Sequence, residues 1–301
     1  MTTLTPLQAR IVRDVISYVR REQLAVGHHL VESALALALN TSRTPVKQAM
    51  QYLMDKGMVT YDRNRGFFLA QHASQLGDLV AEVLEQAEDP LYRQLAERRI
   101  TRQLPEQFSE MELMLEFSVT RPVLRKVLLR CQQEGWLEHM AGQGWRTLPL
   151  IDSVEAYEES YALRAIIEPA GLLSATFHID PPMLANCRKQ QEHLAEDGYL
   201  TMTAMEMFDT SSGFHDTLAV CSGNRFLLQT VRHLARLRRL VEYRKERFRP
   251  QRKHQAEEHL QIIRYLEQGD RLSAADFMRT HLEKARRQAV NPALFMVLER
   301  P

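Results

Sequence analysis

Residues 37–70 read LALNTSRTPVKQAMQYLMDKGMVTYDRNRGFFLA, and this stretch decides the fold. Asn40, Thr41 and Ser42 break the apolar run before them. Ser42 can then cap a new helix whose first turn holds Pro45, where a missing N–H costs nothing. Val46, Ala49, Met50 and Leu53 follow at spacings of three and four, the period of one buried helical face. Gly57 ends that helix. Val59 and Tyr61 predict a short strand, Asp62-Arg63-Asn64-Arg65-Gly66 a basic turn, and Phe67, Phe68 and Leu69 the return strand. Helix, turn, helix and hairpin make a winged helix-turn-helix. In such a module the second helix fits the major groove of DNA and the wing reaches phosphates or the minor groove. The alternative is a winged helix used for protein contact.

Ser42-Arg43-Thr44-Pro45-Val46, followed by Gly57 and by Arg65-Gly66, closely resembles the DNA-binding domain of GntR-type bacterial transcription regulators. The resemblance implies that Arg43 and Lys47 face DNA and that Gly66 allows a tight wing tip. Ser42, Thr44, Arg63 and Arg65 complete the expected contact set. Charge distribution agrees. The whole chain is only +1, but residues 1–70 hold nine Lys/Arg against five acids, a local footprint suited to phosphates.

Upstream, Thr5-Pro6 reads as a cap and first-turn proline, and Leu7, Ile11, Val12, Val15, Ile16 and Val19 as a buried stripe. Downstream, residues 71–88 contain acids and no Lys or Arg, a shift that marks a linker. Leu79, Val80, Val83 and Leu84 predict an amphipathic helix within it. The chain then repeats itself. A shift of about 78 places Ser42 on Thr120, Arg43 on Arg121, Gly57 on Gly135 and Gly66 on Gly144 without gaps. Asp89-Pro90 opens this copy with a shorter first helix, so 89–150 reads as a second winged helix. Its wording departs from the family: Thr44-Pro45 becomes Pro122-Val123, and Arg65 becomes Gln143. Arg121 and Arg125 remain on its second helix, yet the copy is nearly neutral. A second DNA reader and a degenerate scaffold copy both fit.

Beyond residue 150 apolar residues recur at helical spacing, as in Leu260, Ile263 and Leu266, which predicts an antiparallel all-α bundle over 151–301. Tyr161, Arg164 and Glu168-Pro169 open it; Phe214-His215, Glu258-His259 and His281-Leu282 follow. That order resembles the FCD effector domain found on a GntR subfamily. The resemblance implies that His215, His259 and His281 bind a divalent metal with an Asp four residues before the first His. Here that position is Ser211. The residues themselves agree in part, since each His shares a face with apolar neighbours and should point inward. Three imidazoles suit zinc or nickel with an open position; a metal-free polar pocket is the alternative. Arg164 stands one turn before Glu168. It is either an exposed ion pair or, as the resemblance implies, an inward clamp for a ligand carboxylate. Tyr161 and Ser211 would line the same cavity. The run from Arg236 to Arg244 reads as a charged helix face.

Cys131, Cys187 and Cys221 form no CxxC pair, which suits a reducing cytoplasm. No apolar run approaches membrane-spanning length. HExxH, nucleophile-elbow and phosphate-loop motifs are absent, so catalysis is not expected. The fold class expected is mainly α, with two tandem winged helices (1–70 and 89–150) before a helical effector domain. The function expected is operator binding as a homodimer, modulated by a small effector, in a soluble cytoplasmic protein. A metal-dependent enzyme using the three His and a winged-helix scaffold are the alternatives. Asn291-Pro292, followed by an apolar segment to Leu298, predicts a docked terminal helix.

Overall fold

The computed structural model, which describes residues 4–72, 79–80, 83–84, 89–142, 144–244 and 249–288, begins with the capped helix that the sequence predicts. Helix α1 spans Pro6–Arg21. The Gln8 N–H donates to Thr5 Oγ1, and the Thr5 N–H donates back to Gln8 Oε1. Ile11, Val12, Val15, Ile16 and Val19 are buried as expected; Leu7 is exposed, and Ala9 is buried instead. The chain divides into two units, 1–89 with 196–203, and the remainder.

In the first unit α1 is followed by β1 (His29–Leu30), α2 (Glu32–Ala38), α3 (Arg43–Asp55), β2 (Val59–Asp62) and β3 (Gly66–Leu69). The sheet is antiparallel in the order β1-β3-β2, with Val59 opposite Leu69 and Asp62 opposite Gly66. Val46, Ala49, Met50 and Leu53 are buried against α1. Ser42 has the extended backbone of an N-cap, but its hydroxyl caps nothing. Gly57 and Gly66 have φ of +71° and +89°, a region that favours glycine, where the helix ends and the wing closes.

Two expectations about boundaries change. Leu79, Val80, Val83 and Leu84 are helical and belong to this unit's core, so the stretch expected as a linker supplies part of the first module. Apolar side chains at helical spacing are stabilised by leaving water, and this core takes up these four. The segment 196–203, distant in sequence, also belongs here. Arg13 Nη1 donates to Thr201 O at 2.9 Å, and Arg20 pairs with Asp197 at 3.4 Å.

The second unit opens with α4 (Pro90–Ile100), β4 (Gln107–Phe108), α5 (Glu110–Phe117), α6 (Arg121–Gln133), β5 (Leu137–Met140) and β6 (Gly144–Thr147). Strand order β4-β6-β5 repeats that of the first unit, and α6 and all three strands lie 78 residues after their counterparts. The backbone repeats as well. Asn40 and Ser118, again 78 apart, both turn with positive φ, of 48° and 52°. Gly144 has φ +88°, and a Cβ there would stand 2.5 Å from Phe108 O.

Six long helices follow: α7 (Val154–Leu172), α8 (Pro181–His193), α9 (Ala204–Cys221), α10 (Arg225–Arg244), α11 (Arg249–Glu267) and α12 (Arg271–Gln288). Helix α12 lies along α7, and α10 along α9. Leu240 of α10 enters the core built from α4, α6, Trp136 and Trp145, and the Ile151 N–H donates to Leu237 O at 3.0 Å. The three cysteines are buried thiols. No helix among the described residues is long and apolar enough to cross a membrane. The terminal segment 291–298 and Gln143 lie outside the described residues.

Candidate functional site

Helix α3 exposes Arg43, Thr44 and Lys47, and Ser42 is exposed just before it. Their exposure follows from the helix period, because Val46, Ala49 and Met50 take the buried face. The wing exposes Arg63 and Arg65, the latter 5.1 Å from the Phe68 ring centroid, with Gly66 behind it in β3. Among the described residues no carboxylate pairs with Arg43, Lys47 or Arg63. A helix flanked by an arginine-bearing wing, with its cations unneutralised, is what groove and phosphate contacts require.

The corresponding surface of the second unit differs. Arg121 and Arg125 both pair with Glu110, at 2.6 and 3.1 Å, and Trp145 Nε1 donates to the same carboxylate. Burial would raise the Glu110 pKa, but the bonds from Arg121, Trp145 and Arg125 outweigh it and hold the carboxyl below its ordinary value. Arg146 on the hairpin pairs with Glu138, and Arg130 with Glu134. So Arg121 and Arg125, expected as DNA contacts, are held by an acid, whereas among the described residues their counterparts Arg43 and Lys47 are not.

The bundle brings His215 (α9), His259 (α11) and His281 (α12) together from three helices, and all three are buried. Their ligand atoms lie within 4.8 Å of one another. Each Nδ1 has an acceptor: Glu168 Oε2 at 2.6 Å from His215, Gln191 Oε1 at 2.9 Å from His259, and Glu258 Oε2 at 2.6 Å from His281. Gln191 Nε2 donates to Thr210 O, which fixes the end of the amide that faces His259. Burial raises the two glutamates, but Arg164 and His215 around Glu168, and His281 and Lys284 around Glu258, outweigh it. Glu168 falls well below the usual carboxylate range and Glu258 to about 2. Burial in turn pushes His215 down to about 3 and lowers His259 strongly. An ionised carboxylate or an amide oxygen can only accept, so every Nδ1 donates. In a neutral ring the lone pair then sits on Nε2. His259 and His281 Nε2 stand 3.1 Å apart, and two facing lone pairs repel unless a proton or cation lies between them.

Arg164 is 2% exposed and donates to Glu168 Oε1 at 2.6 Å, so the exposed-pair reading is wrong: its helix face turns inward. The cavity beside the histidines is lined by Tyr161, Arg164, Ser211 and His215 as expected, and also by Arg238 and Arg252. Arg238 corrects the reading of 236–244 as a solvated face. It is 5% exposed and donates to the Tyr161 hydroxyl at 2.7 Å. Glu242 accepts from Arg252 at 2.5 Å and from the Tyr157 hydroxyl, and faces Arg238 at 3.5 Å. Burial opposes charge on Arg238, but Tyr161, Glu242 and Tyr157 outweigh it and raise its pKa. The sequence signal for Arg238 was the i,i+4 spacing to Glu242 on an amphipathic helix, which is equally common on surfaces. Asp209, six residues before His215 on the same helix, points elsewhere and pairs with Arg239.

Among the described residues, four polar atoms in this region are buried without a partner: Arg164 Nη2, Arg238 Nε, Ser211 Oγ and Ser212 Oγ. Native proteins rarely leave such donors unsatisfied. The free space at the cavity centre is about 20 Å³, room for an ion or water and not for a metabolite, so a larger ligand must displace side chains.

Comparison with known proteins gives two family matches. Residues 7–69 match "Bacterial regulatory proteins, gntR family", and residues 159–284 match "FCD domain"; 70–158 lie between them. The "Nta operon transcriptional regulator" of Aminobacter aminovorans is 28% identical over 182 residues, which cover 60% of this chain and 82% of that protein. A solved structure described as "Lar controls the expression of the Listeria monocytogenes agr system and mediates virulence" has a TM-score of 0.50 at 20% identity. The match covers 66% of this chain and 94% of that one, and it shows a shared fold. A putative transcriptional regulator GntR from Rhodococcus sp. RHA1 gives 0.46 at 18% identity, over 71% and 98% of the two chains.

Proposed function

We propose that this transcription regulator, which carries a GntR-family DNA-binding domain and an FCD effector-binding domain, is released from or recruited to its operator by a small carboxylate bound at a three-histidine metal site. The observation that carries this reading is the convergence of three Nε2 atoms whose Nδ1 atoms are all engaged, beside a guanidinium with an unpartnered Nη2. His215, His259 and His281 fit a divalent cation, zinc or nickel, and Glu168, Gln191 and Glu258 orient them from behind. When bound, the ion supplies positive charge and an open coordination position. Ser211 offers no carboxylate there, and a ligand carboxylate takes that place while Arg164 binds it.

DNA is read by the first module alone, through Ser42, Arg43, Thr44 and Lys47 on and before α3, and through Arg63, Arg65 and the Gly66 turn of the wing. Residues 89–150 are a second winged helix, inserted between the two family domains, whose Arg121 and Arg125 are neutralised. Its role is structural. Like other modules of this size, the first binds weakly alone, and a homodimer on an inverted repeat in the cytoplasm supplies the second half-site.

Operator DNA selected from random sequence, followed by a carboxylate screen for changed binding, tests this directly. Purified protein should carry close to one divalent ion per chain. Arg164→Ala should abolish the effector response. A variant that still responds at the same effector concentration overturns the clamp, and protein that refuses zinc and nickel overturns the metal site.

A further inference from the structure

The reading above uses one anionic group on the ligand, and the cavity is built for more. Arg164, Arg238 and Arg252 are each at least 94% buried, and so are Glu168 and Glu242, the acids that face them. Among the described residues, three guanidiniums against two carboxylates leave one positive charge, and a divalent ion on neutral imidazoles would raise that to three. Glu258 does not change the balance, because Lys284 pairs with it at 2.9 Å. Uncompensated buried charge is costly; one carboxylate cancels the metal-free excess, but with the ion bound it leaves two positive charges where a dicarboxylate leaves one.

The acceptors are also short on one side. Glu168 serves Arg164 and His215, and Glu242 serves Arg252, Tyr157 and, at longer range, Arg238. Arg238 Nε and Arg164 Nη2 are both left without partners. The two guanidinium carbons lie 5.0 and 4.9 Å from the Tyr161 ring centroid, and so less than 10 Å from each other. Two cationic donors on opposite helices, α7 and α10, share one tyrosine.

Resting on the anion-pocket reading, we propose that the effector is a short-chain dicarboxylate: one carboxylate goes to Arg164 and the histidine site, and the second to Arg238 and Arg252. The second group takes the free Nε of Arg238 and competes with Glu242 for Arg252. Arg238 and Arg252 thereby determine specificity, separating dicarboxylates from monocarboxylates of equal length. Entry of the chain expands the cavity at the Arg238–Glu242 side.

Butyrate and succinate have the same carbon count and differ in the second carboxylate; glutarate extends it by one methylene. Calorimetric titration of all three into the full-length protein, zinc-loaded and metal-free, tests the proposal. Succinate or glutarate should bind about tenfold or more tightly than butyrate, as a charge-assisted bond at a buried guanidinium requires. Arg238→Gln should collapse that ratio to near one. Arg252→Gln reports independently and should shrink it, so the proposal stays testable where the first variant does not fold. Equal binding of butyrate and both diacids by the wild type, or a ratio that survives both substitutions, overturns the dicarboxylate assignment and leaves the anion pocket standing. Failure of all three to bind overturns the pocket as well.

Discussion

Gln191 is the sharpest probe of the histidine cluster, because it touches neither a metal position nor a ligand. It is fully buried on α8 and makes two bonds, accepting from His259 Nδ1 and donating to Thr210 O, both at 2.9 Å. Gln191→Leu keeps the volume roughly and removes both. A buried donor left without a partner costs about 1–3 kcal/mol, so global stability should fall by about that amount. The effect on the site is more specific. Without an acceptor at Nδ1, His259 is free to move its proton to Nε2, where it can donate to His281 Nε2 at 3.1 Å. That tautomer relieves the lone-pair repulsion and removes a ligand, so metal affinity should drop about 10–100-fold, the usual range for losing an outer-shell partner. Gln191→Glu keeps the acceptor, and zinc affinity should hold or rise. Competition against a chromophoric zinc chelator measures affinity, and urea unfolding measures stability. If Gln191→Leu loses stability but binds zinc within about twofold of wild type, the Nδ1 acceptors are not what orients the rings.

Three further outcomes are expected. Arg43→Ala should cost about 1–3 kcal/mol of operator affinity in a salt-controlled gel shift, while Arg121→Ala should cost no more than about 1 kcal/mol because Glu110 already holds that side chain; the reverse order would assign DNA reading to the second module. Ser211→Asp should raise zinc occupancy in metal analysis, since it places a carboxylate one turn before His215; unchanged occupancy would mean that position 211 does not face the ion. Light scattering should give a dimer free and on an inverted-repeat operator, and a monomer on an asymmetric site would contradict the two-fold reading.

The first module was legible almost residue by residue, because its buried face, its turn glycine and its wing all sit within 34 consecutive residues with local spacing rules. The repeat was legible for the same reason. The boundary was not: the acidic composition of 71–88 reads as a linker, and although the apolar stripe of Leu79, Val80, Val83 and Leu84 is visible, no local spacing says which core it joins; it packs into the first. The three histidines could be placed inward from their apolar neighbours. Their partners could not, since Glu168, Gln191 and Glu258 lie 23 to 68 residues away in the chain and no spacing rule links them. Arg238 was hidden in a run of charges whose average reads as solvent-facing. Only the fold shows that Arg238 turns inward while Arg232 stays on an exposed pair with Asp216.

Helix α10 shows why the second charge on a ligand matters. Four consecutive residues, 237–240, point around its whole circumference at the helical step of 100°. Arg238 enters the cavity. Leu240 enters the core of the second module, and the Leu237 carbonyl holds Ile151. Arg239 reaches Asp209 on α9 at 2.6 Å and Glu134 at 3.5 Å. Glu134 is nearly buried and also accepts from Tyr92, Trp136 and Arg130, so this end of α10 is held firmly. The histidines sit on α9, α11 and α12, and the Arg164 clamp on α7; α10 contributes to neither. A ligand bonded only to those elements makes no charged bond to α10 and so does little to favour one position of that helix, and equal affinity for two states shifts nothing. A second carboxylate on Arg238 binds to α10 itself. Its affinity then depends on where that helix stands, and so on where the second module stands, since both ride on one backbone.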